Sequence, residues 1–478
     1  MKHSTINSHQ SRPAFAMGLA LAVSLTPLRA SGISGALDLN FDPGRGADDI
    51  VRAIVLESGG SMLIGGSFRA FDTNACAGLV RLGPDGRRDP SFAPPGDGVC
   101  NALALQTNGQ ILIGGQFSTL GGVTRHQVAR FDPSGDIDAG FAPSFAPDDS
   151  VWALAVQGDG RILVGGYLSG IGDTPIHGLT RLLPGGERDP EFDVGDGTDG
   201  WVAALALLPD GRILVGGDFE RFGGVERAGL VRLWPDGRVD EGLEAALTGS
   251  FLRIESIVVQ ADGGVLLGGR FESVQGTIRR GIARLDPSGM LDSGFAAAGG
   301  LGESYDEVRC IVPAVAGRLW VAGSFHQING CQANHLVLLG GDGQPDPEFH
   351  PCGGVSGGLG RIVVQADGNL LLVGDFSYVN HVKRYGVARL IGQPAPEPEG
   401  VTLAMHAPGG SPSVRFDTNP DRRYTVEASA DLTEWGAWVS GQFTARSVDL
   451  PVPVVFMGER QFFRATASLQ PAGRSVQQ

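Results

Sequence analysis

The chain has 478 residues, 75 of them glycine and 29 proline, yet 42% is hydrophobic and only 19% charged. That mixture excludes a disordered low-complexity chain and a coiled coil, and fits many short strands joined by tight turns. The formal charge of −15 argues against gripping a phosphate backbone, so nucleic acid is not expected as a partner.

In chain order, the first feature is an export signal. Lys2 and Arg12 precede an apolar run over residues 14–25, and small residues permit cleavage after Ala30. The run is too short to span a bilayer comfortably, and no later stretch of about twenty apolar residues exists. Residues 1–30 are therefore predicted to be removed, leaving a secreted or cell-surface protein without a transmembrane segment. A buried N-terminal helix is the alternative. Five cysteines follow, Cys76, Cys100, Cys310, Cys331 and Cys352, with no C-x-x-C spacing. Bridges Cys76–Cys100 and Cys331–Cys352 are conceivable, and buried free thiols are equally so.

From residue 51 the chain repeats itself: VRAIVLESGGSMLIGGSF, CNALALQTNGQILIGGQF, VWALAVQGDGRILVGGYL and four more copies. The second residue of the small pair falls at Gly66, Gly115, Gly166, Gly217, Gly269, Gly323 and Gly374, in steps of 49 to 54 residues. In each unit an alternating run meets a turn ending Asp-Gly or Asn-Gly and returns, which is the pattern of a hairpin. A longer loop leads to a third strand such as Leu230-Val-Arg-Leu233. A short fourth segment then ends on a Phe, as in Arg88-Asp-Pro-Ser-Phe92, expected to anchor one unit on the next. The glycine pair is expected to admit a neighbouring backbone. The seventh unit stops after Val387-Ala-Arg-Leu390, and its missing piece stands at the start, as Leu37-Asp-Leu-Asn-Phe41. Such an arrangement predicts an all-β, seven-bladed β-propeller over residues 37–391, closed by an N-terminal strand that covers both exposed edges.

The pattern of apolar strand, Asp-Gly, Ile-Leu-Val-Gly-Gly-x-Phe, then Ala-Arg-Leu-x-x-x-Gly-x-x-Asp-x-x-Phe resembles the delta-60 repeat family. That resemblance implies a β-propeller of the kind found in exported and surface proteins of bacteria, and it brings no catalytic residue with it. Units six and seven depart from it, with Ala322 and Val373 in place of the first glycine and Leu339-Gly-Gly at the later turn. Residues 393–400 form a Pro-rich, semi-rigid linker. Residues 401–468 resemble the small C-terminal sandwich-like β modules of exported bacterial proteins. Trp435, Trp438 and Phe463 there offer either a carbohydrate platform or the core of a small domain. Residues 469–478 are expected to be disordered.

Two motifs match by letter and fail by context. Residues 195–200 fit GxGxxG but lead into a strand, and residues 354–358 fit GxSxG without a strand-turn-helix elbow. Binding is expected instead on the face carrying the inter-blade loops and the second-to-third loops. The inter-blade loops are acidic, from Asp48 and Asp49 to Asp306 and Glu307, and are expected to ring the channel mouth with basic groups further out. Asp193, Asp196 and Asp199 are the candidate calcium ligands, since a hard cation wants several carboxylate oxygens; no other cofactor is expected. Trp152, Trp201, Arg279, Arg280, His381, Arg384 and Tyr385 are the candidate binding-face residues. The expected function is non-enzymatic binding, by a monomer, of a protein or glycan of the cell envelope or extracellular medium. A carbohydrate-active hydrolase or lyase with carboxylates at the channel mouth is the first alternative, kept open by Trp152 and Trp201. A structural surface spacer is the second.

Overall fold

The computed structural model describes residues 35–392 apart from 77, 95, 97, 296–299, 304, 348 and 350–353, together with the backbone of six strands between Ala404 and Leu469. The leader, the Pro-rich linker, Cys352, Trp435 and the tail beyond Leu469 lie outside the described residues, as do the side chains of Trp438 and Phe463. No α-helix occurs among the described residues.

Seven three-stranded antiparallel sheets follow one another. The inner strands are Val51–Leu56, Val99–Leu105, Ser150–Val156, Trp201–Leu207, Arg253–Val259, Glu307–Pro313 and Leu359–Val364. Each pairs with a middle strand such as Ile162–Tyr167, which pairs in turn with a third such as Leu179–Leu182. Successive inner strands touch, the seventh against the first, so the ring is closed around a central channel. The fourth strand is shorter than the sequence suggests, a single bridged pair in each blade, such as Leu182 with Arg188.

Closure follows the expected scheme. Leu37 bridges Leu390 of blade seven, the Asp38 amide donates to the Arg389 carbonyl at 2.8 Å, and the Ile391 amide donates to Ala36 at 2.8 Å. Phe41 then crosses into the core of blade one, among Val51, Met62, Ile64 and Phe68. Phe92, Phe141, Phe192, Phe295 and Phe349 cross in the same way into the next blade's core, and Leu243 takes this place in blade four.

A second recurring device emerges from the Arg of the third strand. Arg181 is ion-paired with Asp189 at 2.8 Å, lies over the Phe192 ring at 4.6 Å, and donates to the Pro235 carbonyl of the following blade at 2.6 Å. Arg81, Arg130, Arg284 and Arg389 each stack on the matching Phe and reach a carbonyl of the following blade. Blade six has Leu338 in this position; there Trp320 meets Phe349 edge-on at 4.8 Å and Arg318 pairs with Asp346.

The glycine pair has two separate causes. A Cβ on the first glycine would meet the next blade's inner strand, as Gly216 would meet Ile254. On the second it would meet the carbonyl oxygen of its own blade's inner strand, as at Gly166 with Ser150 and Gly217 with Trp201. A side chain can give way where backbone cannot, which explains why Ala322 and Val373 fit at the first position only. Gly217→Ala is expected to cost about 1–3 kcal/mol or more, and Gly216→Ala less, in urea denaturation.

The second-to-third loop is more ordered than the sequence suggests. It is a two-stranded ribbon, such as Arg221–Phe222 with Val225–Glu226, turned by Gly223 and Gly224 at φ 56° and 79°. In six of the ribbons an inter-blade loop residue pairs with it, as Ala47 with Phe71, Thr198 with Phe222 and Leu247 with Val274. Cys76 and Cys100 are both free thiols, so the first conceivable bridge is not formed. Beyond the propeller, Ala404–His406, Ser413–Asp417 and Ser447–Pro451 form one antiparallel sheet, and Arg422–Ser429, Gly436–Gln442 and Phe462–Leu469 another.

Candidate functional site

Every inner strand is irregular at its start. A one-residue register shift near its start, as between Val51 and Ala53, marks a β-bulge. The residue in the bulge is Arg52, Asn101, Trp152, Ala203, Glu255, Arg309 or Gly360, and all seven line one cavity of about 390 Å³ at the channel mouth. Trp201, Arg253, Glu307, Arg361 and Asp375 complete its polar and aromatic wall. A second cavity of about 220 Å³ continues down the channel past Asn101, Trp152 and Glu255.

Two arginines and two tryptophans form a continuous row across this mouth, the two indole planes tilted by 55°. The Arg52 guanidinium lies 5.5 Å from the Trp152 ring centre, Trp152 lies 5.2 Å from Trp201, and Arg253 lies 5.5 Å from Trp201. Glu307, 1% exposed, anchors the far side. One of its oxygens takes Arg253 at 2.7 Å and Arg270 at 3.0 Å, and the other takes Arg309 at 2.5 Å. Burial opposes its charge, but Arg309 and Arg253 overcome it and hold the carboxyl below its ordinary pKa. Glu255 shows the opposite balance: burial pushes its pKa up although Arg253 pairs with it at 2.6 Å.

Arg52 differs from the other arginines of the wall. Its Nε donates to Ser67 Oγ at 3.1 Å, and it makes no ion pair among the described residues. Burial, with Arg309 nearby, lowers its pKa from the ordinary value. Asn101, 8% exposed, donates from Nδ2 to the Val151 carbonyl at 3.2 Å, while its buried Oδ1 has no hydrogen-bond donor. A buried acceptor left unmade is costly, so both groups are suited to a ligand.

Of the residues singled out from the sequence, the structure brings Trp152 and Trp201 together. Arg279, Arg280, His381, Arg384 and Tyr385 lie on or beside the ribbons of blades five and seven, and none lines the mouth cavity. Arg279 and Arg384 donate to carbonyls of the residue before them, and His381 sits at the ribbon turn with φ 66°. The three proposed calcium ligands do not converge. Asp193 accepts its own turn amide from Gly195, and Asp199 accepts the amides of Glu220 and Arg221. Among the described residues no group of three or more His, Cys, Asp or Glu has an arrangement able to hold a metal ion.

Of the acidic inter-blade group expected to ring the mouth, Glu307 lines the cavity and Asp48, Asp149 and Asp199 do not. Asp48 accepts the amides of Arg69 and Ala70, and Asp149 accepts the amide and hydroxyl of Ser169, so these carboxylates tie inter-blade loops to ribbons. Beside Glu255, Glu307 and Asp375 the mouth is lined by Arg52, Arg253, Arg309 and Arg361, which sequence reasoning passed over. For Arg52 and Arg309 the signal was the bulge position itself, which holds five other residue types in the remaining blades.

The family model described as "Domain of unknown function (DUF5122) beta-propeller" matches seven times, at residues 58–92, 106–141, 157–192, 208–242, 260–295, 317–349 and 365–390. No curated protein matches. Among solved structures, the chain is similar to a streptogramin B lyase at 13% identity and a TM-score of 0.43, covering 73% of this chain and 93% of that one. It is similar to YCF48 from Cyanidioschyzon merolae at 11% identity and TM-score 0.35, covering 72% and 96%. A glycoside hydrolase matches at 13% identity and TM-score 0.26, covering 91% and 97%.

Proposed function

Because the chain belongs to a β-propeller repeat family, with seven repeats matching the DUF5122 model, we propose that it is an exported, non-enzymatic binding protein that takes a glycan at the mouth of its central channel. The observation that carries this is the open cavity of about 390 Å³, walled by two tryptophans and four arginines. Aromatic rings beside fixed donors suit a hydroxylated ring better than a flat protein surface. Export is supported by the order of charged, apolar and small residues over 1–30. On this reading the protein acts as a monomer at the cell surface or in the medium. The outer ribbons, tied to the inter-blade loops, serve as frame.

The test is a glycan array probed with purified protein and with Trp152→Ala. Specific glycans are expected to bind, with affinity reduced about tenfold or more in the variant. Binding that survives the substitution would move the site to the ribbons, and a blank array beside a protein captured through the channel mouth would replace the glycan by a protein partner.

A second reading has one observation in its favour. Glu255 is pushed towards the protonated form while neighbouring Glu307 is held ionised, the division of labour of an acid and a base in a glycosidase. Against it, both Glu307 oxygens are occupied by arginines, which leaves no free base or nucleophile on that side. New reducing ends or unsaturated products from a bound glycan, abolished by Glu255→Gln, would establish the enzyme.

A further inference from the structure

The glycan reading of the channel mouth leaves the class of sugar open, and two unmade bonds address it. In a chain of net charge −15, this cavity reverses the sign: Arg52, Arg253, Arg309 and Arg361 stand against Glu255, Glu307 and Asp375. Three of the four arginines are engaged. Arg253 and Arg309 hold Glu307, and Arg361 donates from Nη1 to the Arg309 carbonyl at 2.6 Å.

Arg52 is held without being used. Ser67 fixes its Nε and Trp152 lies beside its plane; Asp49 and Asp375 act on its charge from a distance, but its two terminal nitrogens make no hydrogen bond or ion pair among the described residues. A guanidinium fixed in this way presents a planar fork, which matches the two oxygens of a carboxylate. In the next blade, Asn101 offers a buried acceptor with nothing to accept. The complement is one molecule with a carboxylate and an O–H or N–H donor close to it. The wall consists of indole, guanidinium, amide and carboxyl groups together with Ile50, Val51, Ala203 and two glycines. A polyhydroxylated ring fits that lining better than a peptide terminus.

We infer that the channel mouth takes a uronate, a carboxylated sugar residue of a glycan chain, with its carboxylate on the terminal nitrogens of Arg52 and a hydroxyl donating to Asn101 Oδ1. This rests on the proposed glycan site. Asp375 then limits the site to one acidic group, because a second carboxylate would meet like charge.

The experiment is calorimetric titration of the full chain with trigalacturonate, a hyaluronan tetrasaccharide, the methyl-esterified galacturonate trimer and triglycine. At least one acidic sugar is expected to bind, and for trigalacturonate the ester is expected to be about tenfold weaker. Arg52→Gln is expected to weaken the acid about tenfold and to erase its advantage over the ester. Asn101→Leu is expected to weaken acid and ester alike, since a hydroxyl is common to both. Unchanged thermal midpoints confirm that both variants fold. Equal binding of acid and ester by the wild type, lost on Trp152→Ala, would overturn the uronate and keep the glycan site. Tighter binding of triglycine would overturn the sugar class in favour of a carboxyl terminus. Absence of any Trp152-dependent sugar binding would overturn both readings.

Discussion

Phe41→Ala is expected to destabilise the propeller by about 3–5 kcal/mol in chemical denaturation, the upper range for truncating a buried aromatic. Phe41 is fully buried, and its surroundings are shared between chain ends. Its ring packs in blade one and lies 4.8 Å from the guanidinium of Arg389 in blade seven. Arg389 also pairs with Asp38 at 2.8 Å and donates to the Pro84 carbonyl at 2.7 Å. The loss therefore removes core volume and loosens the join between the first and last repeats. Phe192→Ala removes similar volume at an internal junction where the chain itself continues. The two variants should differ in protease sensitivity: cleavage should begin at residues 35–42 in the first and not in the second. Leu39→Ala, at a residue 70% exposed, should leave the midpoint within about 0.5 kcal/mol. A Phe41→Ala variant as stable as that control would show that the ring does not depend on this junction.

Glu307→Gln is expected to cost about 3–5 kcal/mol near neutral pH, the usual effect of removing one partner from a buried ionic cluster. Arg253, Arg270 and Arg309 would lose their shared carboxylate. The pH dependence follows from the direction of the shift. With its folded pKa held below the ordinary 4.5, Glu307 contributes stability that is complete above that value and is lost as pH falls through the lowered one. Glu255 acts oppositely: its pKa is raised by burial, so its contribution is complete at low pH and is lost as pH rises through the raised value. Urea midpoints of the wild type and both Gln variants, followed from acid to neutral pH, separate these effects. Glu307→Gln should flatten the acid limb, and Glu255→Gln should remove a decline on its neutral side. An unchanged acid limb in Glu307→Gln would contradict this assignment.

Blade number, closure and the Phe anchors are legible in the sequence because they obey a period: the same chemistry returns every 49 to 54 residues. The arginine of the third strand shares that period but reads as an ordinary exposed strand residue until Asp189, Phe192 and Pro235 are seen around Arg181. The mouth is hidden for the reverse reason. Arg52, Asn101, Trp152, Ala203, Glu255, Arg309 and Gly360 share a place but only two of them a residue type, so comparing repeats sets them aside as noise. The acidic loops misled because composition reports charge without direction. Asp48, Asp149 and Asp199 turn onto backbone amides twenty or so residues away, where a carboxylate serves as a staple.

The join of Asp38 to Arg389 spans 351 residues, which gives the protein a means of checking its own completeness. The piece that closes the ring is synthesised before the blades and its partner at the end of the seventh. A chain that has made six blades holds Phe41 in blade one with no Arg389 above it and no strand for Leu37 to bridge. Closing so long a loop is slow and gains nothing until the final contacts form. Truncated or stalled chains therefore keep an open strand edge that quality-control proteases can seize, while a finished chain hides it in one step.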